Sequence, residues 1–104
     1  MKNIFNIGVV GLGNIGSYFC NLLISKKKEI ELKTGKIVNL KFVSAKSSKK
    51  KRKFKYKKKQ WLNNPLDITR DPSIDIVFEL VGGADGLAKK IVLSSLINKK
   101  HVIT

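Results

Sequence analysis

Three glycines stand where an expected strand turns into an expected helix. An apolar run over residues 4–10 leads directly into Gly11-x-Gly13-x-x-Gly16, and an amphipathic helical pattern follows. In this order Gly11 permits a tight turn, Gly13 lets the backbone approach a pyrophosphate, and Gly16 lets the helix pack close to the strand. The amides at the start of the helix point a partial positive charge at the phosphates. The spacing predicts a dinucleotide-binding turn; the alternative is a tight turn that holds no ligand.

The end of the second expected strand bears on which dinucleotide would bind. The strand is predicted over residues 38–45, Lys46 and Ser47 follow it, and the next acidic residue is Asp67. NAD sites usually place an acidic residue at this strand end, about 20 residues after the glycines, to bind the ribose 2′-hydroxyl. A lysine and a serine can instead hold a 2′-phosphate, which an acid would repel. We expect NADP in preference to NAD; the alternative is that both residues belong to a solvated loop.

Two more glycines, Gly82 and Gly83, end a third apolar run that is predicted as a strand over residues 74–81. Glycines at this edge let the backbone approach the nicotinamide ribose, unless they form only a strand-to-helix turn. Glu79 is either a buried, paired carboxylate that supports the site or a residue at the rim of the sheet. His101, at the amino end of a fourth strand, is expected to be a surface residue rather than a general base. We assign no catalytic residue and no metal ligand within this sequence.

These motifs need a frame, and the periodicity predicts one of alternating strands and helices. Helices are expected over residues 14–26 and 85–98, a mostly polar connection over residues 29–35, and a last strand over residues 100–104. Asp71-Pro72-Ser73 is a turn signal. This order implies an α/β fold, a Rossmann-type, doubly wound parallel sheet that is incomplete and contains only the first strands and helices. The length allows one domain, residues 1–104.

Each helix is expected to bury one apolar face. In the first helix the side chains at helical spacing are Ile15, Tyr18, Phe19, Leu22 and Leu23. In the second helix they are Leu87, Ile91, Val92, Ser95 and Leu96.

Several features indicate a cytoplasmic protein without a membrane partner. Cys20, the single cysteine, is expected to be buried, and no disulfide framework exists. No apolar run approaches the ~20 residues of a transmembrane span. The glycines and asparagines near the start interrupt any secretory signal.

The formal net charge of +15 concentrates in a lysine-rich run over residues 49–59. Like charges at this density favour a solvated loop. Phe54, Tyr56 and Trp61 interleave with the lysines, as in platforms that stack single-stranded bases, but such platforms normally lie on a sheet face. Only Arg52 and Arg70 among the 22 basic residues are arginine, a composition typical of an AT-rich coding sequence. We therefore expect no specific nucleic-acid partner, although the role of the run stays open.

The motifs together resemble homoserine dehydrogenase, in its N-terminal cofactor domain. The matching segments are residues 9–16, 43–47, 61, 71–83 and 100–104; the strand ending Glu79-x-x-Gly82-Gly83 and the final His101-Val102-Ile103-Thr104 are more specific than the glycine turn. The resemblance covers nearly the whole chain but only the first part of such an enzyme, so we expect a piece of a longer protein. The family reduces aspartate 4-semialdehyde to homoserine with NADPH or NADH, in threonine and methionine biosynthesis. The full-length enzyme is expected to be a homo-oligomer, and this piece alone inactive.

The resemblance also implies roles for individual residues. The phosphate turn would be lined by Leu12, Asn14 and Ile15. Lys46 would lie near the adenosine ribose, and Val81 and Gly82 would border the nicotinamide half. Thr104 belongs to the cofactor-side residues and precedes an Ala-Asn-Lys segment in the family, whose lysine lies in the active site.

The lysine-rich loop departs from the usual pattern of the family. Two alternatives to homoserine dehydrogenase therefore stay open. Another NAD(P)-dependent reductase can carry the same cofactor domain. A stand-alone dinucleotide-binding or redox-sensing module, without chemistry of its own, would also need only the features found here.

Overall fold

The computed structural model describes residues 3–46, 52–82 and 86–104; Ser47, Gly83 and Asp85 lie outside these ranges. The strands are β1 (Ile4–Val10), β2 (Ile37–Ser44), β3 (Ile76–Glu79) and β4 (His101–Ile103), and the helices are α1 (Asn14–Thr34), α2 (Pro65–Arg70) and α3 (Leu87–Ile97). β1 has its predicted bounds, and the other strands differ from prediction by one or two residues at each end. Within the described ranges, no helix is both long enough and apolar enough to cross a membrane.

The four strands are all parallel and lie in the order β2-β1-β3-β4. Val10 at the end of β1 lies beside Ser44 on one side and Glu79 on the other. After β2 the chain crosses to the opposite side of β1, so the strand order reverses between β1 and β3. Open parallel sheets bind ligands outside the carboxyl ends of the strands at such a point. The predicted Rossmann-type parallel sheet is confirmed.

Helices cover both faces of this sheet. On one face Val9 packs in a core with Cys20 of α1. On the other face Val10 packs with Ile68 of α2 and Ile91 of α3. These five side chains are at most 1% exposed. Burial on both faces accounts for the nearly continuous apolar run of β1.

The first helix is longer than predicted. The connection expected over residues 29–35 is wrong, because α1 continues to Thr34 and ends at Gly35, whose φ is +72°. The Gly35 amide donates to the Glu31 carbonyl, which closes the helix in the left-handed cap that glycine favours. Lysine, glutamate and leucine dominate this last part, and all three are strong helix formers. Polar composition was therefore not a sufficient reason to predict a loop here.

The buried face of α1 also differs from the predicted one. Ile15 is 73% exposed and Tyr18 is 68% exposed, and Leu22 is exposed as well. Leu23 is buried as predicted and Phe19 is half-buried, but the rest of the side that faces the sheet carries the small residues Gly16, Ser17 and Cys20. Small residues bring the helix axis close to the strands, and the bulkier side chains consequently point outward. In α3, Ile91 and Ser95 are buried as predicted, Leu87 and Val92 are half-buried, and Leu96 is exposed.

Residues 52–62, which precede α2, pack against the sheet and do not form the predicted solvated loop; residues 49–51 of the lysine-rich run lie outside the described residues. Lys53 and Lys55 are exposed, but Phe54 between them is only 3% exposed and belongs to the core on the α1 side. Trp61 pairs with Val43 of β2 in a single parallel bridge. The buried Phe54 ring and the Trp61 bridge thus hold these residues against the sheet. The many lysines around them hid this in the sequence.

The short helix α2 was not predicted. Its start carries two local signals, because the Asn64 side chain caps the helix by accepting from the Leu66 amide and Pro65 occupies the first turn. Its Ile68 and Thr69 are fully buried. The chain therefore crosses from β2 to β3 through a packed helix.

At the amino edge of the sheet, the predicted turn at residues 71–73 is confirmed. The amide and hydroxyl of Ser73 both donate to Asp71 Oδ1, at 2.8 and 2.5 Å. The Ser73 hydroxyl bond lowers the pKa of Asp71, and the Ser73 amide and the charges of Lys41 and Lys100 act in the same direction against the effect of burial. The buried Lys100 ammonium donates to the carbonyls of Asp71 and Ile74. This network joins the turn to the start of β4.

Candidate functional site

The turn after β1 joins the carboxyl ends of three strands. Gly11 has a φ of +103°, in the left-handed region that favours glycine. Its amide donates to the Ser44 carbonyl at the end of β2, over 2.8 Å. A Cβ at Gly11 would lie 2.6 Å from the Leu80 carbonyl oxygen after β3. Only glycine fits this place between the neighbouring strand ends.

The start of α1 leaves room for a ligand. Among the described residues, no side chain caps the helix at Gly13, and a Cβ added there would meet no atom within 4 Å. A Cβ at Gly16 would instead lie 2.0 Å from the Gly11 carbonyl oxygen. The two glycines therefore differ in function: Gly16 permits close packing of the helix, whereas Gly13 exposes backbone to the space above the strands.

That space is a cavity of about 470 Å³, within the range of small-molecule sites. Six of the predicted site residues line it: Gly11, Leu12, Gly13, Lys46, Val81 and Gly82. Asn14, Ile15, Gly16 and Thr104 are not among the lining residues. Ser47 and Gly83 lie outside the described residues. The predicted site residues thus converge mainly from the ends of β1, β2 and β3.

Seven other residues line the cavity and were not predicted to do so: Val10, Ala45, Arg52, Asn63, Pro65, Leu80 and Leu87. Arg52 comes from the lysine-rich segment, and Asn63 and Pro65 come from the entry into α2. Composition offered one signal for Arg52, since it is one of two arginines among the 22 basic residues. The spatial approach of residues 52 and 63 to the end of β2 depends on how the crossing segment packs.

The lining suits a phosphate-bearing ligand. Lys46 and Arg52 supply two cations, and none of the described lining residues is acidic. The uncapped start of α1 adds the partial positive charge of a helix N-terminus. Open backbone at Gly13 can approach a pyrophosphate without a side chain in the way. The residues present therefore fit a dinucleotide. No cluster of three or more metal-ligating side chains occurs within the part of the chain that is described.

Glu79 lies beside this cavity as a buried, paired carboxylate, only 5% exposed. Its Oε2 accepts a hydrogen bond from the Val81 amide at 2.7 Å, and its Oε1 accepts one from the Thr104 hydroxyl. Of the two predicted readings, support of the site fits this geometry and a place at the rim does not. His101 is exposed at the amino end of β4, at the edge of the sheet opposite the cavity, as expected of a surface residue.

Comparison with known proteins identifies the family to which this chain is similar. The family model described as "Homoserine dehydrogenase, NAD binding domain" matches residues 11–104. The homoserine dehydrogenase of Bacillus subtilis is 31% identical over 94% of this chain, and that of Helicobacter pylori is 34% identical over all of it. The chain spans 22% and 24% of the lengths of these two relatives.

Solved structures give the same result. The crystal structure of Staphylococcus aureus homoserine dehydrogenase at pH 7.0 superposes with a TM-score of 0.87 at 29% identity. The match covers 97% of this chain and 26% of that one. The comparison supports the sequence-based resemblance in both fold and family.

Proposed function

The chain belongs to the homoserine dehydrogenase family, in the NAD-binding domain, and on that premise we propose that its cavity binds NADP in preference to NAD. The observation that carries the proposal is the charge at the end of β2. The cavity presents Lys46 and Arg52 there, and no described lining residue is acidic. A carboxylate at this place would accept hydrogen bonds from the ribose hydroxyls of NAD and would repel the 2′-phosphate of NADP.

The proposal assigns residues to the pyrophosphate, the 2′-phosphate and the nicotinamide half of the cofactor. Backbone at Gly11–Gly13 would hold the pyrophosphate against the start of α1, as in other dinucleotide-binding turns. Lys46 would neutralise the 2′-phosphate. Val81 and Gly82 would border the nicotinamide half, and Glu79 would fix their backbone through the Val81 amide. When bound, the cofactor supplies the hydride; this chain's residues bind and orient it.

The activity of the whole protein follows as part of the same proposal. We infer that it reduces the aldehyde of aspartate 4-semialdehyde to homoserine, within threonine and methionine biosynthesis, and that substrate-binding and catalytic groups lie outside these 104 residues. A homo-oligomeric whole protein and a cytoplasmic location stay predictions from the sequence. So do the single-domain assignment of residues 1–104 and the absence of a specific nucleic-acid or membrane partner.

Calorimetric titration of the 104-residue chain with NADPH and with NADH tests the proposal. We expect weak binding, because an open sheet edge and a small core limit how rigidly this chain holds its site. NADPH should nevertheless bind more tightly than NADH. Tighter binding of NADH would overturn the cofactor preference, and absence of binding to both would overturn the function assigned to the cavity.

A further inference from the structure

Arg52 lies in the cavity wall, although it belongs to a segment that composition marked as solvated loop. We propose that Arg52, positioned by the ring of Trp61, is the residue that distinguishes a 2′-phosphorylated adenosine from an unphosphorylated one. The inference rests on the proposed function of the cavity and assigns its specificity to a particular side chain. Lys46 then contributes charge at the same end of the cavity without setting the geometry.

Trp61 provides a shelf for the guanidinium. The Arg52 Cζ lies 5.8 Å from the centroid of the Trp61 ring, within the distance of a cation–π contact. On the same ring Tyr56 stacks with its centroid 5.0 Å away and an interplanar angle of 25°. The Trp61 indole N–H also donates to Asn63 Oδ1 at 2.7 Å. The ring is therefore held by a stacking partner and by a hydrogen bond.

The shelf is fixed to the sheet at the strand that ends beside the cavity. Trp61 forms the parallel bridge with Val43, and the next amide, of Leu62, donates to the Val43 carbonyl at 3.0 Å. Val43 is fully buried and lies three residues before Lys46. The position of Arg52 is thereby tied to the end of β2, where the adenosine ribose is expected.

Guanidinium chemistry favours Arg52 over Lys46 as the discriminating group. A guanidinium is planar and presents its N–H donors in a fixed fork that matches two phosphate oxygens, whereas an ammonium acts as a point charge on a flexible stem. The Trp61 ring lies beside the guanidinium, with its centroid 5.8 Å from Arg52 Cζ, and the proposed phosphate contact is made through guanidinium N–H groups. Lys46 is exposed, and Arg52 is half-buried. A half-buried guanidinium held beside an aromatic ring loses less conformational freedom on binding than an exposed lysine.

The test uses adenosine 2′,5′-bisphosphate and AMP, two probes that differ only in the 2′-phosphate and carry no nicotinamide. Arg52→Gln should weaken the bisphosphate by about tenfold or more, as expected for a lost charge-assisted hydrogen bond, and should change AMP by less than about twofold. Arg70→Gln is the matched control, because Arg70 is the other arginine and lies on α2, paired with Asp67 and outside the cavity lining. It should change neither probe. An unchanged bisphosphate affinity in Arg52→Gln, or an equal loss for both probes, would overturn the assignment.

Two further variants test the positioning by Trp61. Trp61→Phe keeps an aromatic face and should retain most of the preference for the bisphosphate. Trp61→Leu removes that face and should lower the preference several-fold, because Arg52 keeps its charge but loses its fixed orientation. Far-UV circular dichroism identifies a variant that fails to fold, and Arg52→Lys then gives the same information without touching the shelf: it should lose most of the preference while retaining the charge. Full retention of the preference in Trp61→Leu, or in Arg52→Lys, would contradict a positioned fork.

The test of Arg52 can be distinguished from the test of the proposed function. Failure of the chain to bind NADPH and NADH would remove the function assigned to the cavity. A preference for the bisphosphate that depends on Arg52 would still locate a phosphate-reading subsite. Binding of NADPH and NADH, with no effect of Arg52→Gln on the probe pair, would instead retain the function and reject the role of Arg52.

Discussion

The Thr104 hydroxyl donates a hydrogen bond to Oε1 of the buried Glu79, and this bond joins the carboxyl ends of β4 and β3. The second oxygen of the same carboxylate holds the Val81 amide. Glu79 therefore fixes the backbone that leads into Gly82, a residue of the cavity wall. A charged side chain inside an apolar strand serves here to position a loop.

Replacing Glu79 should lower the stability of the fold. Glu79→Leu leaves the Val81 amide without its carboxylate partner, and we expect a loss of about 1–3 kcal/mol in the free energy of unfolding. Glu79→Gln retains an oxygen acceptor for that amide and should cost less. Urea denaturation measures both variants. If Glu79→Leu proved as stable as the glutamine variant, the carboxylate would not be holding the loop.

Two glycine substitutions should separate packing from ligand binding. Gly16→Ala places a Cβ in the space of the Gly11 carbonyl, so it should destabilise the fold by at least about 1–3 kcal/mol, the usual cost of overpacking. Gly13→Ala meets no atom of the described ranges and should fold almost normally. It should nevertheless weaken NADPH and NADH alike, because its methyl group would occupy the approach to the pyrophosphate. Thermal melts and cofactor titrations give the two readouts. Unimpaired dinucleotide binding by Gly13→Ala would show that phosphates do not approach this turn.

Lys46→Glu should weaken NADPH more than NADH. The new carboxylate repels the 2′-phosphate that only NADPH carries, and it can accept the ribose hydroxyls of NADH. Lys27→Glu makes the same charge change on the exposed surface of α1, away from the cavity, and serves as the control. Dissociation constants for both cofactors decide the outcome. Equal losses would mean that Lys46 does not sense the phosphate.

The lysine-rich segment should bind nucleic acid only weakly and without specificity. Phe54 is buried and offers no face to a base, and its replacement would damage the core. Tyr56→Ala alone is the appropriate variant. We expect binding to single-stranded DNA at low salt that disappears at about 0.15 M salt, with little effect of this substitution. Salt-tolerant binding that depends on Tyr56 would indicate a stacking platform instead.

Asp71 should stabilise the fold at neutral pH and lose this contribution in acid. The Ser73 hydroxyl bond holds the folded-state pKa of Asp71 below its ordinary value of 3.8. A lowered pKa means that the contribution is fully present above the unfolded-state value and is lost as the pH falls through the folded-state value. The melting temperature of Asp71→Asn should accordingly lie below that of the parent chain at pH 7, and the difference should narrow below about pH 4. A difference that stays constant from pH 7 to pH 3 would contradict the shift.

Local sequence signals predicted the strands and the glycine turn because those features depend on neighbouring residues. The apolar run before Gly11 marks β1 correctly, and Glu79-x-x-Gly82 marks the end of β3. The buried face of α1 could not be read in this way, because the contact between Gly16 and the Gly11 carbonyl decides which side of the helix meets the sheet. Hydrophobic periodicity favoured Ile15 and Tyr18 for that side, and tertiary packing overrides it.

The residues of the cavity wall likewise divide into those that local sequence signals predict and those that long-range contacts place. Lys46 follows a strand end and was predicted from spacing alone. Arg52 reaches the cavity only because Phe54 is buried and Trp61 pairs with β2, two long-range contacts that no short window of sequence contains. The density of lysines predicted a solvated loop for the lysine-rich run. In its described part, the packing of Phe54 and Trp61 places the chain against the sheet.

The placement of Gly11 between three strand ends has a consequence for how cofactor choice can change during evolution or design. The turn that would hold the pyrophosphate is built into the frame of the sheet, since its amide is bonded to Ser44 and its backbone abuts Leu80. Substitutions there would alter folding before they altered selectivity. Lys46 and Arg52 lie outside this turn, so substitutions at these two side chains would change the proposed selectivity and leave the backbone contacts of the turn intact.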